Sequence, residues 1–177
     1  MEKVAAEIIA KRCERLKLLH NGQFGSRRLR GAIDAVTKLI ATVEQAWKNK
    51  KIAGALFLDI KGAFPNVIRQ QLVKRLIELK IPGDIIRWVN SFFTDRKVQL
   101  IIDGYTCFLK EIKAGLPQGS PISLILFAIY ISGFFNYIKE KIPVFTLFFA
   151  DDIDIIAVEN SIRDTIKTLE AAGLEAI

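Results

Sequence analysis

Three aspartates interrupt or end apolar segments, where acidic side chains are unexpected. Asp59 comes at the end of the run IAGALFLDI (52–60), and Asp151 and Asp152 separate VFTLFFA from IDIIAV. An isolated buried carboxylate is costly unless it is paired or bound to a metal ion, and adjacent like charges repel each other. A shared cation accounts for the pattern. The alternatives are an exposed strand tip for Asp59 and a plain acidic turn for the pair, since Asp tolerates turn conformations.

The residue types around these carboxylates favour a hard, oxygen-binding ion. The chain has one histidine, His20, and two cysteines, which show no metal-ligand spacing and form no disulfide framework. Sets of carboxylates without such ligands select ions such as Mg²⁺ over zinc. Pairs of these ions, about 3.5–4 Å apart, catalyse phosphoryl transfer in both polymerases and nucleases. Asp154 is a further candidate ligand, although strand alternation leaves the face it occupies open.

A polar loop lies between the two acidic segments. The sequence AGLPQGSP (114–121) contains two glycines, which allow a ligand to approach the backbone closely. Gln118 supplies an amide donor and acceptor, and Ser120 is predicted to cap the helix that begins at Pro121. The alternative is an ordinary connection into that helix.

Apolar periodicity assigns these residues to a mixture of helices and strands. The run 52–60 suits a strand buried on both faces, and the segments flanking Asp151 and Asp152 suit two strands joined by a tight turn. Residues 98–112 predict a hairpin around Asp103 and Gly104. Helical spacing marks 3–19, 68–79, a segment opened by Ser161, and the stripe Ile33, Val36, Ile40, Val43 and Trp47. This order predicts one α+β domain, with antiparallel strands layered on helices.

The most apolar stretch is 122–135. Its 14 residues fall short of the roughly 20 that a membrane span requires. We therefore expect a buried core helix and no membrane partner. Because no signal peptide is recognisable and the cysteines are few, we expect an intracellular location.

Positive charge is concentrated in the first third of the chain. Residues 1–51 contain 12 basic and 5 acidic side chains, and residues 52–177 contain 14 of each, so the first part carries the whole net charge of +7. A large anion such as nucleic acid is a partner that fits this distribution. A solvated basic helix is the alternative.

Four segments, in this order, resemble the palm and fingers of a reverse transcriptase, most closely of the non-LTR retrotransposon type. They are GQFGSRRLRGAIDA (22–35), FLDIKGAF (57–64), FFTDRKVQL with AGLPQGSPIS (92–123), and FFADDIDIIA (148–157). The resemblance implies a right-hand polymerase fold, with partial fingers in 1–51 and the palm, with remaining fingers elements, in 52–177. It implies the addition of deoxynucleotides to a primer DNA 3′-OH on an RNA template.

The resemblance assigns metal ligands position by position. Asp59, Asp151 and Asp152 match the catalytic carboxylates, with Asp59 and Asp151 as the direct ligands of two Mg²⁺ ions, which Mn²⁺ can replace. The backbone carbonyl of Ile60 would complete the shell of one ion.

The resemblance also assigns contacts to the substrates. Phe64 matches the bulky residue beneath the sugar of the incoming nucleotide, with core packing as the alternative. Gln118 and Gly119 match a loop that contacts nucleotide and template. Arg27 and Arg30 match fingers residues near the template or triphosphate, with a solvated surface as the alternative.

The sequence departs from the family pattern in several places. Pro65 replaces the usual acid after the aromatic residue, which puts the shape of the following turn in question. Residues 29–32 read Leu-Arg-Gly-Ala in place of Gly-Arg-Ser-Thr. We expect a fragment that lacks the first fingers motifs, the thumb and the other domains of its parent element.

Two other functions remain open from sequence. The chain could be a catalytically inactive remnant that binds nucleic acid, or a piece of a group II intron-type reverse transcriptase and maturase. A retrotransposon protein is expected in the nucleus and an intron-type enzyme in the mitochondrion.

Overall fold

A computed structural model describes residues 1–112 and 115–176; Lys113, Ala114 and Ile177 lie outside the described residues. The helices are α1 (Glu2–Arg15), α2 (Ala32–Lys48), α3 (Arg69–Glu78), α4 (Gly83–Phe92), α5 (Pro121–Lys141) and α6 (Ile162–Ala176). The strands are β1 (Ile52–Asp59), β2 (Lys97–Val98), β3 (Ile101–Ile102), β4 (Tyr105–Thr106), β5 (Lys110–Glu111), β6 (Phe145–Phe149) and β7 (Asp152–Glu159).

The central sheet is antiparallel, with strand order β1-β7-β6. Its register pairs Ile52 with Glu159 at one end and Asp59 with Asp152 at the other. Strands β6 and β7 form a hairpin in which Phe149 is also a partner of Asp152. The two predicted strands around the acidic pair are therefore confirmed, and the turn between them lies beside the end of β1.

Helix α5 forms the centre of the core. Ten of its residues are buried, and they pack against α1, α3 and α4 on one side and against the sheet and α6 on the other. By length and composition α5 could cross a membrane, but 56% of its apolar window is buried inside the chain. The prediction of a buried core helix at 122–135 is confirmed.

The other face of the sheet is covered only in part, by α2. Ala35 and Leu39 of this helix pack against a small cluster formed by Phe24, Leu147 and Ile156. The predicted stripe of larger residues is largely uncovered: Ile33, Val36, Ile40 and Trp47 are all more than half exposed. Small side chains allow the helix to lie close to the strands, and the cover ends before the aspartates.

One expectation about β1 is wrong. The strand is not buried on both faces, because Ala55, Phe57 and Asp59 are exposed while the residues between them are partly covered. The cause is the cover of its two faces: α6 packs on one face, and α2 covers only part of the other.

The predicted hairpin at 98–112 is confirmed as two short ladders. Strand β2 pairs with β5, and β3 pairs with β4. Asp103 and Gly104 both have positive φ, 50° and 82°, as a two-residue hairpin turn requires.

Candidate active site

The sheet brings two of the three aspartates to facing positions. Asp59 ends β1 and is the register partner of Asp152, which begins β7. Directly opposed side chains project from the same face of an antiparallel pair, with Cβ atoms about 4.5–5.5 Å apart. Asp151 adjoins them, because its carbonyl oxygen accepts a hydrogen bond of 3.3 Å from the Ile60 amide. The three predicted aspartates therefore lie together at one end of the sheet.

An open cleft of about 440 Å³ is lined by Asp59 and Asp152 but not by Asp151. Its floor is the sheet face that carries Asp59, Asp152 and Asp154, which share that face by strand alternation. Phe57 and Phe149 complete the floor. The opposite wall is formed by apolar residues of α2: Ala32, Ala35, Val36 and Leu39. The cleft thus combines an acidic floor with an apolar wall.

The acidic charges of the floor have no basic partner in the part of the chain that the structure describes. The ion pairs found in this part of the chain join other residues, and none of them includes an aspartate of the cleft. Asp59 and Asp152 are exposed and Asp151 is half-buried, so water can solvate them. Burial, and then the charge of Asp152, raise the pKa of Asp154 above its ordinary value. The exposed strand tip considered for Asp59 is what the structure shows, and it leaves the carboxylate accessible to a ligand.

The donor set has the chemistry of a divalent-ion site. Within residues 1–112 and 115–176, no three His, Cys, Asp or Glu side chains are grouped closely enough to hold a metal ion. The facing carboxylates of Asp59 and Asp152 nevertheless supply oxygen ligands of the kind that Mg²⁺ prefers. The Ile60 carbonyl accepts a bond of 3.2 Å from the Ala63 amide and has a second lone pair. These residues fit an ion that takes its other ligands from water and substrate, as Mg²⁺ usually does.

Comparison with known proteins assigns the chain to a family. The reverse transcriptase (RNA-dependent DNA polymerase) family matches residues 1–175 of the chain. The chain belongs to the reverse transcriptase family.

Its curated relatives are enzymes of mobile elements. The chain is 29% identical over 150 residues to the RNA-directed DNA polymerase from mobile element jockey of Drosophila melanogaster, covering 82% of the chain and 16% of the relative. It is 24% identical over 153 residues to a Pol polyprotein from a type-1 retrotransposable element R2 of Popillia japonica, covering 76% and 25%. The chain therefore spans a minor part of these relatives. They favour a retrotransposon reverse transcriptase domain over an intron-type one.

A solved structure confirms the predicted palm-like α+β fold. Apo telomerase from Candida tropicalis, truncated from its C-terminal domain, superposes with a TM-score of 0.64 and 18% identity. The match covers 95% of this chain and 36% of that one. At this identity the likeness shows the fold alone.

In this reverse transcriptase domain the two predicted fingers arginines are held by the protein itself. Arg27 donates to both carboxylate oxygens of Glu14, at 2.7 and 2.6 Å, and to the His20 carbonyl at 3.1 Å. Arg30 donates to the carbonyls of Asn21 and Gln23. Their contact with template or triphosphate stays a prediction. To make such a contact, Arg27 would have to break its two hydrogen bonds with Glu14.

Phe64 contacts the core in this domain. Its ring lies 4.9 Å from that of Phe127, and the side chain is half-buried against the cluster around α5. This is the packing considered as the alternative to a sugar contact. The predicted role beneath an incoming nucleotide is untested.

The loop that carries Gln118 and Gly119 is exposed at those two residues. Ser120 occupies the N-cap position of α5 but makes no capping side-chain bond. Its hydroxyl donates instead to Glu2 of α1, at 2.6 Å. The side-chain cap expected from sequence is therefore wrong: the Ser120 hydroxyl is oriented toward Glu2 and accepts no bond from the first-turn amides of α5.

Two glycines that sequence reasoning did not assign to the site support the acidic turn. Residues 22–24 run along the edge of β6. The Phe24 amide donates to the Phe148 carbonyl, and the Phe148 amide donates to the Gly22 carbonyl. A Cβ on Gly25 would lie 2.5 Å from the Ala150 amide nitrogen, next to Asp151. The glycine spacing in GQFG is the signal that marks this close approach.

Proposed function

We propose that this chain is part of an RNA-directed DNA polymerase and that Asp59, Asp151 and Asp152 are its catalytic carboxylates. The observation that carries the proposal is the register pairing of Asp59 with Asp152 at the mouth of an open acidic cleft. Residues 1–51 would belong to the fingers and 52–177 to the palm. The substrates would be an RNA template, a DNA primer and deoxynucleoside triphosphates, used in the nucleus as expected of a retrotransposon protein.

The chain's own residues define what the site would do. Mg²⁺ ions, when bound, would supply activation of the attacking primer 3′-OH and charge stabilisation on the leaving pyrophosphate. Asp59, Asp151, Asp152 and the Ile60 carbonyl would hold these ions. The apolar wall of α2 would bound one side of the cleft, and the protein would contribute mainly positioning and electrostatic stabilisation.

Primer extension on an RNA template with Mg²⁺ tests this proposal. We expect Asp151→Asn to abolish extension while circular dichroism shows an intact fold, since the substitution removes a charge from a half-buried turn without changing its shape. Asp103→Asn is the matched control, because it makes the same change on an exposed hairpin turn. Near-normal extension by Asp151→Asn would contradict the metal-ligand assignment.

The inactive remnant predicts a different outcome. The wild-type chain would bind template and primer but would extend nothing with Mg²⁺ or Mn²⁺. Extension by the same preparation, lost in Asp151→Asn and retained in Asp103→Asn, rejects the remnant.

A further inference from the structure

The loop at 115–120 is joined directly to the turn that follows Asp59. Gly115 N donates to the Val67 carbonyl at 3.2 Å, and Leu116 N donates to the Phe64 carbonyl at 2.8 Å. These bonds connect the start of the loop to residues 60–67, which we call the active-site turn. Leu116 is 3% exposed, so its side chain anchors the junction in the core.

Pro65 fits this junction. The hydrogen bonds of the active-site turn use the amides of Ala63, Asn66 and Val67, so the missing N–H of Pro65 leaves none of them unmade. The Pro65 backbone also sets the approach of the loop. A Cβ on Gly115 would lie 2.4 Å from the Pro65 carbonyl oxygen, and Gly115 has a φ of 83°. Only glycine allows both the conformation and the contact.

Arg96 also holds the start of the loop, through the carbonyl of Gly115. Its Nη1 donates to the Gly115 carbonyl at 2.6 Å, and its guanidinium lies 5.9 Å from the centre of the Phe92 ring. The Arg96 carbonyl accepts a bond of 2.8 Å from the Ile112 amide. The residue therefore joins the end of α4, the base of the hairpin and the start of the loop.

The far end of the loop is also fixed, by the bond between Ser120 and Glu2. Between these anchors Gln118 and Gly119 are exposed. A Cβ on Gly119 would meet no atom within 4 Å, so this tip is open to a ligand. The position of the tip relative to Asp59 depends on its anchors, because few contacts restrain the tip itself.

We propose that Arg96 is a positioning residue for the nucleotide. By fixing Gly115 against the active-site turn, it holds Gln118 and Gly119 at a constant distance from Asp59. The inference rests on the proposed function, since it assumes that the loop tip contacts the incoming deoxynucleotide. Arg96 itself touches no substrate; it acts through the Gly115 carbonyl.

The first measurement is hydrogen–deuterium exchange on the whole chain. We expect Arg96→Ala to speed exchange in residues 60–67 and 115–120 and to leave β6 and β7 unchanged. Arg87→Ala is the matched control, because Arg87 is an exposed arginine on α4. Arg96→Lys keeps a cationic donor and should restore part of the protection. It also serves as the test variant if Arg96→Ala does not fold. Exchange in the loop equal to that of Arg87→Ala would overturn the proposal.

The second measurement is steady-state primer extension. We expect Arg96→Ala to raise the KM for deoxynucleotide about tenfold and to change kcat by less than about twofold, since the lost bond affects binding more than chemistry. An unchanged KM, or an equal loss in kcat, would overturn the positioning role. If the wild-type chain extends no primer, the proposed function fails and the exchange result alone decides whether Arg96 holds the loop.

A glycine pair provides an independent check on the junction. Gly115→Ala and Gly104→Ala introduce the same side chain at nearly the same φ, 83° and 82°, but a Cβ at Gly104 meets nothing within 4 Å. We expect faster loop exchange only in Gly115→Ala. Equal exchange in the two variants would show that the contact with Pro65 does not hold the loop.

Discussion

Arg27 makes a nearly buried ion pair whose loss should destabilise the fold. The Arg27 side chain is 7% exposed and that of Glu14 is 31% exposed, and two hydrogen bonds join them. A third bond holds the His20 carbonyl. The pair therefore ties α1 to the loop that runs along β6, and we expect Arg27→Ala to weaken that connection.

The size of the effect follows from this burial. Removing one partner of a fully buried pair costs about 3–5 kcal/mol, and hydrogen bonds to charged groups contribute about 1.5–3 kcal/mol each. Because Glu14 is partly exposed, water would solvate its carboxylate after the change, so we expect about 2–3 kcal/mol. In a chain of this size that loss lowers Tm by about 4–12 °C.

Thermal unfolding followed by circular dichroism at pH 7 measures the effect. Lys11→Ala is the control, because it breaks an exposed pair with Glu7 and should cost less than about 1 kcal/mol. The double variant Glu14→Gln with Arg27→Ala should be little worse than Arg27→Ala alone. A Tm loss no larger than that of Lys11→Ala, together with weaker template binding, would refute a structural role and favour the nucleic-acid contact.

The pair also predicts a pH dependence. The hydrogen bond from Arg27 lowers the pKa of Glu14 below its ordinary value of 4.5. The unfolded chain therefore binds the proton first as the pH falls, so the stabilisation is present above 4.5 and is lost below it. Arg27→Ala should remove this part of the acid sensitivity, which the difference in Tm between pH 7 and pH 4 measures.

Three further outcomes are expected. Gly22→Ala should lower Tm far more than the control Gly83→Ala, because a Cβ on Gly22 would lie 1.8 Å from the Thr146 carbonyl oxygen while one on Gly83 has room. Burial, and then Lys139, lower the pKa of His20 below 6.5, so its contribution to stability is full above pH 6.5 and declines as the pH falls below it, which chemical denaturation at pH 7.5 and 5.5 measures. Binding of an RNA–DNA hybrid should be weak and should fall steeply with added salt in fluorescence anisotropy, and salt-independent binding would argue against phosphate contacts.

The sequence singled out Asp59, Asp151 and Asp152 because apolar runs of strand length rarely contain carboxylates. The apolar runs around Asp59 and Asp151 predicted strands and made the acidic side chains within them stand out. The order of helices and strands along the chain predicted the antiparallel layer fold. The register that opposes Asp59 with Asp152 was not predictable, because period-two alternation fixes the face of a residue but not its cross-strand partner. The burial of β1 was overestimated for a related reason. An apolar run predicts a strand, but it does not show how completely other elements cover each face of that strand.

The concentration of positive charge in residues 1–51 has a different meaning once its partners are known. Arg27 and Lys11 form ion pairs with Glu14 and Glu7, and Arg30 is committed to backbone carbonyls. The count of 12 basic side chains in this region therefore overstates the number of cations that are ready to meet a phosphate. Arg28 is exposed and lies in a groove of about 520 Å³ between α1 and α5. If nucleic acid approaches the first third of the chain, cations such as Arg28 set the salt dependence, and the paired arginines keep the loop beside the acidic turn in place.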